Sequence, residues 1–169
     1  LAGLNSQQLP KYTEMEARGL LEKLAKSYNV DLTEEHITSM LKQMPDYIPQ
    51  FLQYYFSMVK TFFNDEDFDI DEIYIQHVYP SLNRDFEYQF QERLIKFNRD
   101  ELEVVKKILN LIADKNEIHE SELLKSIKDE NAYAITLKLL SHEFIVKDEK
   151  ENYSFSLEML KKWWLKKNL

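Results

Sequence analysis

Apolar residues first recur at helical spacing behind a Thr-x-x-Glu signature. Thr13 and Glu16 read as a capping box, hydroxyl and carboxylate each taking an orphan N–H group. The helix then runs to about Tyr28, with Met15, Ala17, Leu20, Leu21, Leu24 and Ala25 on one face. The polar stretch 29–32 turns the chain. Thr33 caps a second helix, with Glu34 and Glu35 in the first turn where the helix dipole favours acids, and Ile37, Met40 and Leu41 as its apolar face. Pro45 closes it. Pro49 suits the first turn of a third helix, lined by Phe51, Leu52, Tyr55, Phe56, Val59 and Phe62. Tyr54 and Tyr55 are neighbours on that helix, so only one of them faces inward; the other marks a surface that wants a partner.

Six acids crowd residues 64–72 and divide the chain. Asp69 and Glu72 look like the cap of a long helix over 71–97, which Pro80 should kink or split. Phe86, Phe90, Leu94 and Phe97 keep helical spacing along it. The rhythm changes after that. Helices are predicted over 100–113 (Leu102, Val105, Ile108, Leu109, Ile112), 119–127 (Leu123, Leu124, Ile127) and 130–142 (Ala134, Leu137, Leu140). Residues 144–146 and 153–155 read as two strands around a polar tip, and Ser156 caps a last helix through about Lys167. Helix, helix, helix, hairpin is the order of a winged helix-turn-helix. The expected fold is mainly α: a three-helix bundle over 1–63, an acidic linker and long connecting helix over 64–97, and a winged helix with a small β-hairpin over 98–169.

Composition narrows the chemistry. The 169 residues are 44% hydrophobic and 31% charged, a globular balance. No apolar run approaches the ~20 residues of a membrane span, and no secretory signal opens the chain. Cysteine is absent, which removes disulfides and thiolate chemistry, and the default compartment is cytoplasmic. Only two glycines are present, and neither G-x-x-x-x-G-K-[ST] nor G-x-G-x-x-G occurs, so the chain has no phosphate-wrapping loop and no evident enzymatic activity of its own. The chain opens on Leu1 rather than Met, which reads as a piece of something longer.

Several motifs then resemble a family in their order. Leu9-Pro10-x-Tyr12-Thr13-x-x-Glu16-Ala17-x-x-Leu20-Leu21 looks like the entry to the helical lid of prokaryotic AAA+/STAND-type P-loop ATPases. Pro49-Gln50-Phe51-Leu52-Gln53 is similar to the opening of the last lid helix, with Asp46 and Tyr47 where the family carries two glycines. Tyr88-x-x-x-x-Arg93-Leu94 resembles the approach to the winged helix, and Tyr153-Ser154-Phe155 with Leu160-x-x-Trp163-Trp164 resembles its end. The resemblance implies the carboxy-terminal regulatory half of a longer ATPase. Its partners would be the nucleotide-binding core upstream and another protein. ATP and Mg would be held by that parent, and none by this chain. By the same resemblance, Pro49, Asp46 and Tyr47 form a nucleotide-facing edge.

Two other function classes compete. A winged-helix DNA-binding regulator would use Asn131 and Lys138 on the third helix of that domain and the basic terminal stretch with Lys161 and Lys162. An acidic first half opposes it: residues 1–90 carry 7 basic and 15 acidic residues, against 15 of each afterwards. The start of that helix (Lys128, Asp129, Glu130) and the wing tip are also rich in acids. An assembly adaptor with no nucleotide link is the third class. Asp65, Asp67, Asp69 and Asp71 mimic an EF-hand, but position 6 is Ile70 and position 12 is Gln76, so no calcium site is expected. The four histidines lack zinc spacing and read as surface or capping groups. The Lys- and Trp-rich end reads as cover for a core rather than a membrane anchor.

Overall fold

A computed structural model describes residues 10–167. The fold is mainly helical with one small three-stranded antiparallel sheet. It forms two compact units that divide in sequence between Phe86 and Glu87.

The first unit begins with α1 (Glu14–Ser27), α2 (Glu34–Gln43) and α3 (Pro49–Phe62). Thr13 caps α1 by accepting the Glu16 N–H at 3.2 Å, but the Glu16 carboxylate takes the Thr13 hydroxyl at 3.1 Å instead of an N–H group. The Thr13-Glu16 capping box is therefore only half made. The complete box belongs to α2, where Thr33 accepts from the His36 N–H and its own N–H donates to His36 Nδ1. Met15, expected on the apolar face of α1, is 84% exposed: it falls in the first turn, ahead of the stretch that Ala17, Leu21 and Ala25 bury. Leu21, Met40, Ile48, Leu52, Tyr55 and Val59 make the core. Of the paired tyrosines, Tyr55 is fully buried, and its hydroxyl donates to the Ile70 carbonyl at 2.9 Å.

The predicted long helix is present as three joined pieces: α4 (Ile70–Ile73), a π-helical turn (Tyr74–Val78) and α5 (Tyr79–Leu94), which carries the chain into the second unit. Asp69 caps α4, accepting from the N–H groups of Asp71 and Glu72 at 2.9 and 3.0 Å. Pro80 has no N–H to give the ladder. The Tyr79 N–H reaches five residues back to the Tyr74 carbonyl, so the helix widens before the proline and continues past it.

The second unit continues with α6 (Arg99–Lys115), β1 (Glu117–His119), α7 (Glu120–Ser126), α8 (Ala132–Ser141), β2 (Ile145–Lys147), β3 (Asn152–Phe155) and α9 (Glu158–Lys167). Strand β3 is central: it pairs with β1 (Ile118 opposite Tyr153) and with β2 (Val146 opposite Ser154). Asn98 and Glu101 form a reciprocal capping box on α6. Ile108, Leu109, Ile112, Ile118, Leu123, Leu139, Phe144, Tyr153 and Leu160 are buried together with α9's Trp163 and Trp164. Ser156, expected as a cap, is buried and donates its hydroxyl to the Glu143 carbonyl at 2.6 Å.

Helix α8 sits differently from its predicted orientation. It buries Ala132, Ile135, Thr136 and Leu139, while Ala134 and Leu137 face solvent and Leu140 is half-buried. Its sequence, AYAITLKLLS, is apolar nearly all round, so periodicity alone does not choose the inward face. The buried Thr136 hydroxyl is satisfied by the Ala132 carbonyl at 2.7 Å.

Candidate functional site

The segment entering α1 is clasped to the turn between α2 and α3. The Tyr12 N–H donates to the Tyr47 carbonyl at 2.7 Å, and Lys11 Nζ stands 3.4 Å from Asp46 Oδ1. Asp46 is 5% exposed, and a carboxylate taken out of water needs a compensating charge or donor, which Lys11 supplies. The Ile48 N–H donates to the Asp46 carbonyl at 3.0 Å, tightening the turn so that Pro49 falls at the first position of α3. Ile48 offers no side-chain cap to that helix. Tyr74 senses the same turn: its hydroxyl is pushed up to about 12, by burial first, then by Tyr79 and Asp46.

The structure thus gathers Asp46, Tyr47 and Pro49 on one edge of the first unit. The edge presents a half-buried phenol ring, a proline and a buried carboxylate, and residues 44–49 contain no basic side chain. The positive end of the α3 dipole would favour an anion, but the Asp46 carboxylate lies three residues ahead of it. This chemistry suits a flat or neutral group better than a phosphate.

The four candidate nucleic-acid residues are separated. Asn131 and Lys138 lie on the rim of one groove of about 470 Å³ between the starts of α6 and α8, shared with Asp100, Glu101 and Asp129. Lys138 is occupied: its Nζ donates to Glu101 Oε2 at 2.7 Å and to the Lys96 carbonyl at 3.0 Å, and stands 4.8 Å from the centre of the Phe97 ring. The Asn131 N–H donates to Asp129 Oδ1 at 2.8 Å. Lys161 and Lys162 lie on α9, where Lys161 donates to Asn116 Oδ1 and Lys162 is exposed.

Acids of 65–72 rim an open cleft of about 690 Å³, floored in part by Phe62 stacked on His77 at 4.6 Å. Asp69 is spent on capping, and Asp71 accepts from Gln43 at 3.0 Å. Among the described residues, no three His, Asp or Glu side chains are arranged to hold a metal, and no helix is long and apolar enough to cross a membrane.

One cluster had no sequence signal because it joins β2, β3 and α7. Glu120 Oε2 accepts from Lys147 Nζ at 2.7 Å and from the Tyr153 hydroxyl at 2.5 Å. The Lys147 bond, then the Tyr153 bond, hold the Glu120 carboxyl below its ordinary value, and the Glu120 bond raises Lys147. Every group has a partner, so the cluster pins the sheet to α7.

No family model matches the chain, and no curated protein matches it. Among solved structures, a Walker-type ATPase of Pyrococcus abyssi aligns with a TM-score of 0.65 at 15% identity, over 92% of this chain and 42% of that one. The chain therefore spans less than half the length of this structural neighbour. What the two share is the fold, and the fold of this chain is that of part of a Walker-type ATPase.

Proposed function

We propose that the chain is the carboxy-terminal regulatory region of a P-loop ATPase, a helical lid followed by a winged helix, which couples nucleotide state to partner binding. The observation that carries this reading is the alignment of nearly the whole chain with 42% of a Walker-type ATPase, while the chain itself lacks a phosphate loop. The second unit supports it: helix, strand, two helices, hairpin and helix, with β1 added to the edge of the hairpin, is winged-helix order. The motif order from Pro10 to Trp164 is consistent with it as well.

In this reading ATP and Mg bind the core upstream, which supplies the electrostatic stabilisation that phosphoryl transfer needs. The chain contributes no hydrolytic group. Tyr47 and Pro49 face the nucleotide from the lid side, and Asp46 with Lys11 fixes that edge to the strap through which the lid connects to the core. Nucleotide binding would then move lid and strap as one body, changing the surface offered to a partner.

The test is the native gene product, by intact mass and upstream peptide coverage, followed by ATP-analogue binding. An upstream domain with a phosphate loop, and altered amide exchange at Tyr12 when the analogue binds, supports the reading. A native product that begins near Leu1, or an upstream region with no phosphate loop, overturns it.

A further inference from the structure

We propose that the outward face of α8 is a docking surface for a basic amphipathic segment of a partner protein. Tyr133 and Leu137, spaced four residues apart, are 50% and 45% exposed, and the exposed Ala134 lies between them. They form one apolar strip on a helix whose opposite face, Ile135 and Leu139, is already committed to the core. A helix apolar on both sides belongs under cover on both sides.

Charge selects the occupant. The groove beside the strip is floored by Val104, Ala134 and Ile135 and rimmed by Asp100, Glu101 and Asp129. Its one cation is Lys138, already bonded to Glu101 at 2.7 Å. Three carboxylates against one ammonium leave the groove negative. A Lys or Arg can lay its methylene stem over Ala134 and bring its head to Asp100 and Asp129. A partner helix with an apolar ridge for Tyr133 and Leu137 and a cation beside it meets both features. DNA fits less well, since the carboxylates repel phosphate and Ala134 and Leu137 offer a base edge no hydrogen bond, which leaves Tyr133 and Asn131 as the donors of that face.

The inference rests on reading the chain as a partner-binding region and gives that role a location, but it does not require nucleotide. The test uses the chain as it stands. Random peptides of about 16 residues, roughly four helical turns, are displayed and selected on the wild-type chain. The enriched peptides are then synthesised and their Kd measured. The expected consensus pairs apolar residues at i, i+4 with Lys or Arg. Leu137→Asp and Asp100→Lys should each weaken binding roughly tenfold or more, the second most at low salt. Both residues face solvent, so circular dichroism should stay unchanged; Asp100→Lys should lower Tm slightly, because Asp100 lies in the first turn of α6 where the helix dipole favours acids. Three results would overturn the proposal: no enrichment, an acidic or uncharged consensus, or equal binding by Leu137→Asp. Sedimentation supplies a fourth, because a dimer broken by Leu137→Asp would assign the face to a second copy. None of these outcomes bears on whether a phosphate loop lies upstream, so the two readings fail separately.

Discussion

Lys138 Nζ reaches from α8 to the first turn of α6, where it meets Glu101 Oε2 at 2.7 Å, and the same Glu101 oxygen accepts from the Asn98 N–H at 3.4 Å. One carboxylate thus closes a helix cap and ties two helices together. The Lys138 hydrogen bond is the main cause that lowers the Glu101 carboxyl from its ordinary 4.5. A depressed carboxylate contributes stability above its unfolded value and loses it as pH falls through the lower folded value. Lys138→Met should return the Glu101 titration toward 4.5, read from its side-chain carbonyl by NMR. The stability gap between wild type and variant should be present at neutral pH and close below the carboxylate range. A gap that persists at low pH would show that Lys138 acts through packing on Phe97 rather than charge.

The hydroxyl of Tyr55 donates to Ile70 at 2.9 Å inside the first unit, and burial raises it well above its ordinary 10.0. Burial likewise raises Tyr153 and brings Tyr74 to about 12. An acid whose folded value is raised contributes stability below its unfolded value, and that stability is lost as pH rises through the folded value. The fold should therefore weaken above about pH 10, where unfolded tyrosines ionise. Tyr55→Phe should cost about 1 kcal/mol at neutral pH, the worth of a typical hydrogen bond, and should also flatten part of the alkaline loss. Urea unfolding at neutral and alkaline pH reads both effects. An unchanged alkaline limb would remove Tyr55 from the account.

Much of this architecture is legible from local chemistry. Pro49 at the start of α3, the Thr33 and Asp69 caps and the hairpin around the polar tip follow from side chains that act within a few residues of themselves. What escapes is set at a distance. Strand β1 has a single inward residue, Ile118, which becomes a strand only because Tyr153 and its neighbours arrive from 35 residues on to pair with it. Helix α8 buries Ile135 and Leu139 and turns Ala134 and Leu137 outward, a choice that an all-apolar helix does not announce. By contrast, the capping role expected of the histidines is met by His36 and His119, whose Nδ1 atoms accept N–H groups at the starts of α2 and α7. The edge at Asp46 and Tyr47 is visible in sequence only through resemblance. Its ion pair with Lys11 needs the fold.

Glu151 sits at the wing with φ 62°, in the left-handed region that penalises a side chain. Its N–H donates to the Asp148 carbonyl at 3.1 Å, and its carbonyl accepts from Glu120 at 3.0 Å, so the backbone is committed to that conformation. Glycine adopts it without strain. The Glu151 carboxylate has an ion pair with Lys147 at 3.9 Å and stands 3.8 Å from His119 Nε2; both contacts are exposed and weak, so their removal costs little. Glu151→Gly should therefore stabilise the second unit by about 0.5–1 kcal/mol, a figure net of the extra freedom glycine gains when unfolded. A lower Tm for the variant would mean that the wing charges matter more than the backbone.

DNA binding supplies the last prediction, because the groups that would grip a duplex are partly spent. Lys138 is bonded to Glu101 and Lys161 to Asn116, which leaves Lys162 and Asn131 as the exposed members of the four. The chain carries a net charge of −8. Each phosphate neutralised steepens the fall of log K with log salt by about 0.9. Fluorescence anisotropy with a random duplex should show weak binding at low salt and a slope of about one or two. Lys162→Gln should remove roughly one unit of that slope, and Lys138→Gln should leave it unchanged. A slope of six or more, shared by Lys138→Gln and Asn131→Ala losses, would mean that Lys138 abandons Glu101 for phosphate. In that case α8 would be a DNA-facing helix, and its apolar strip would need another explanation.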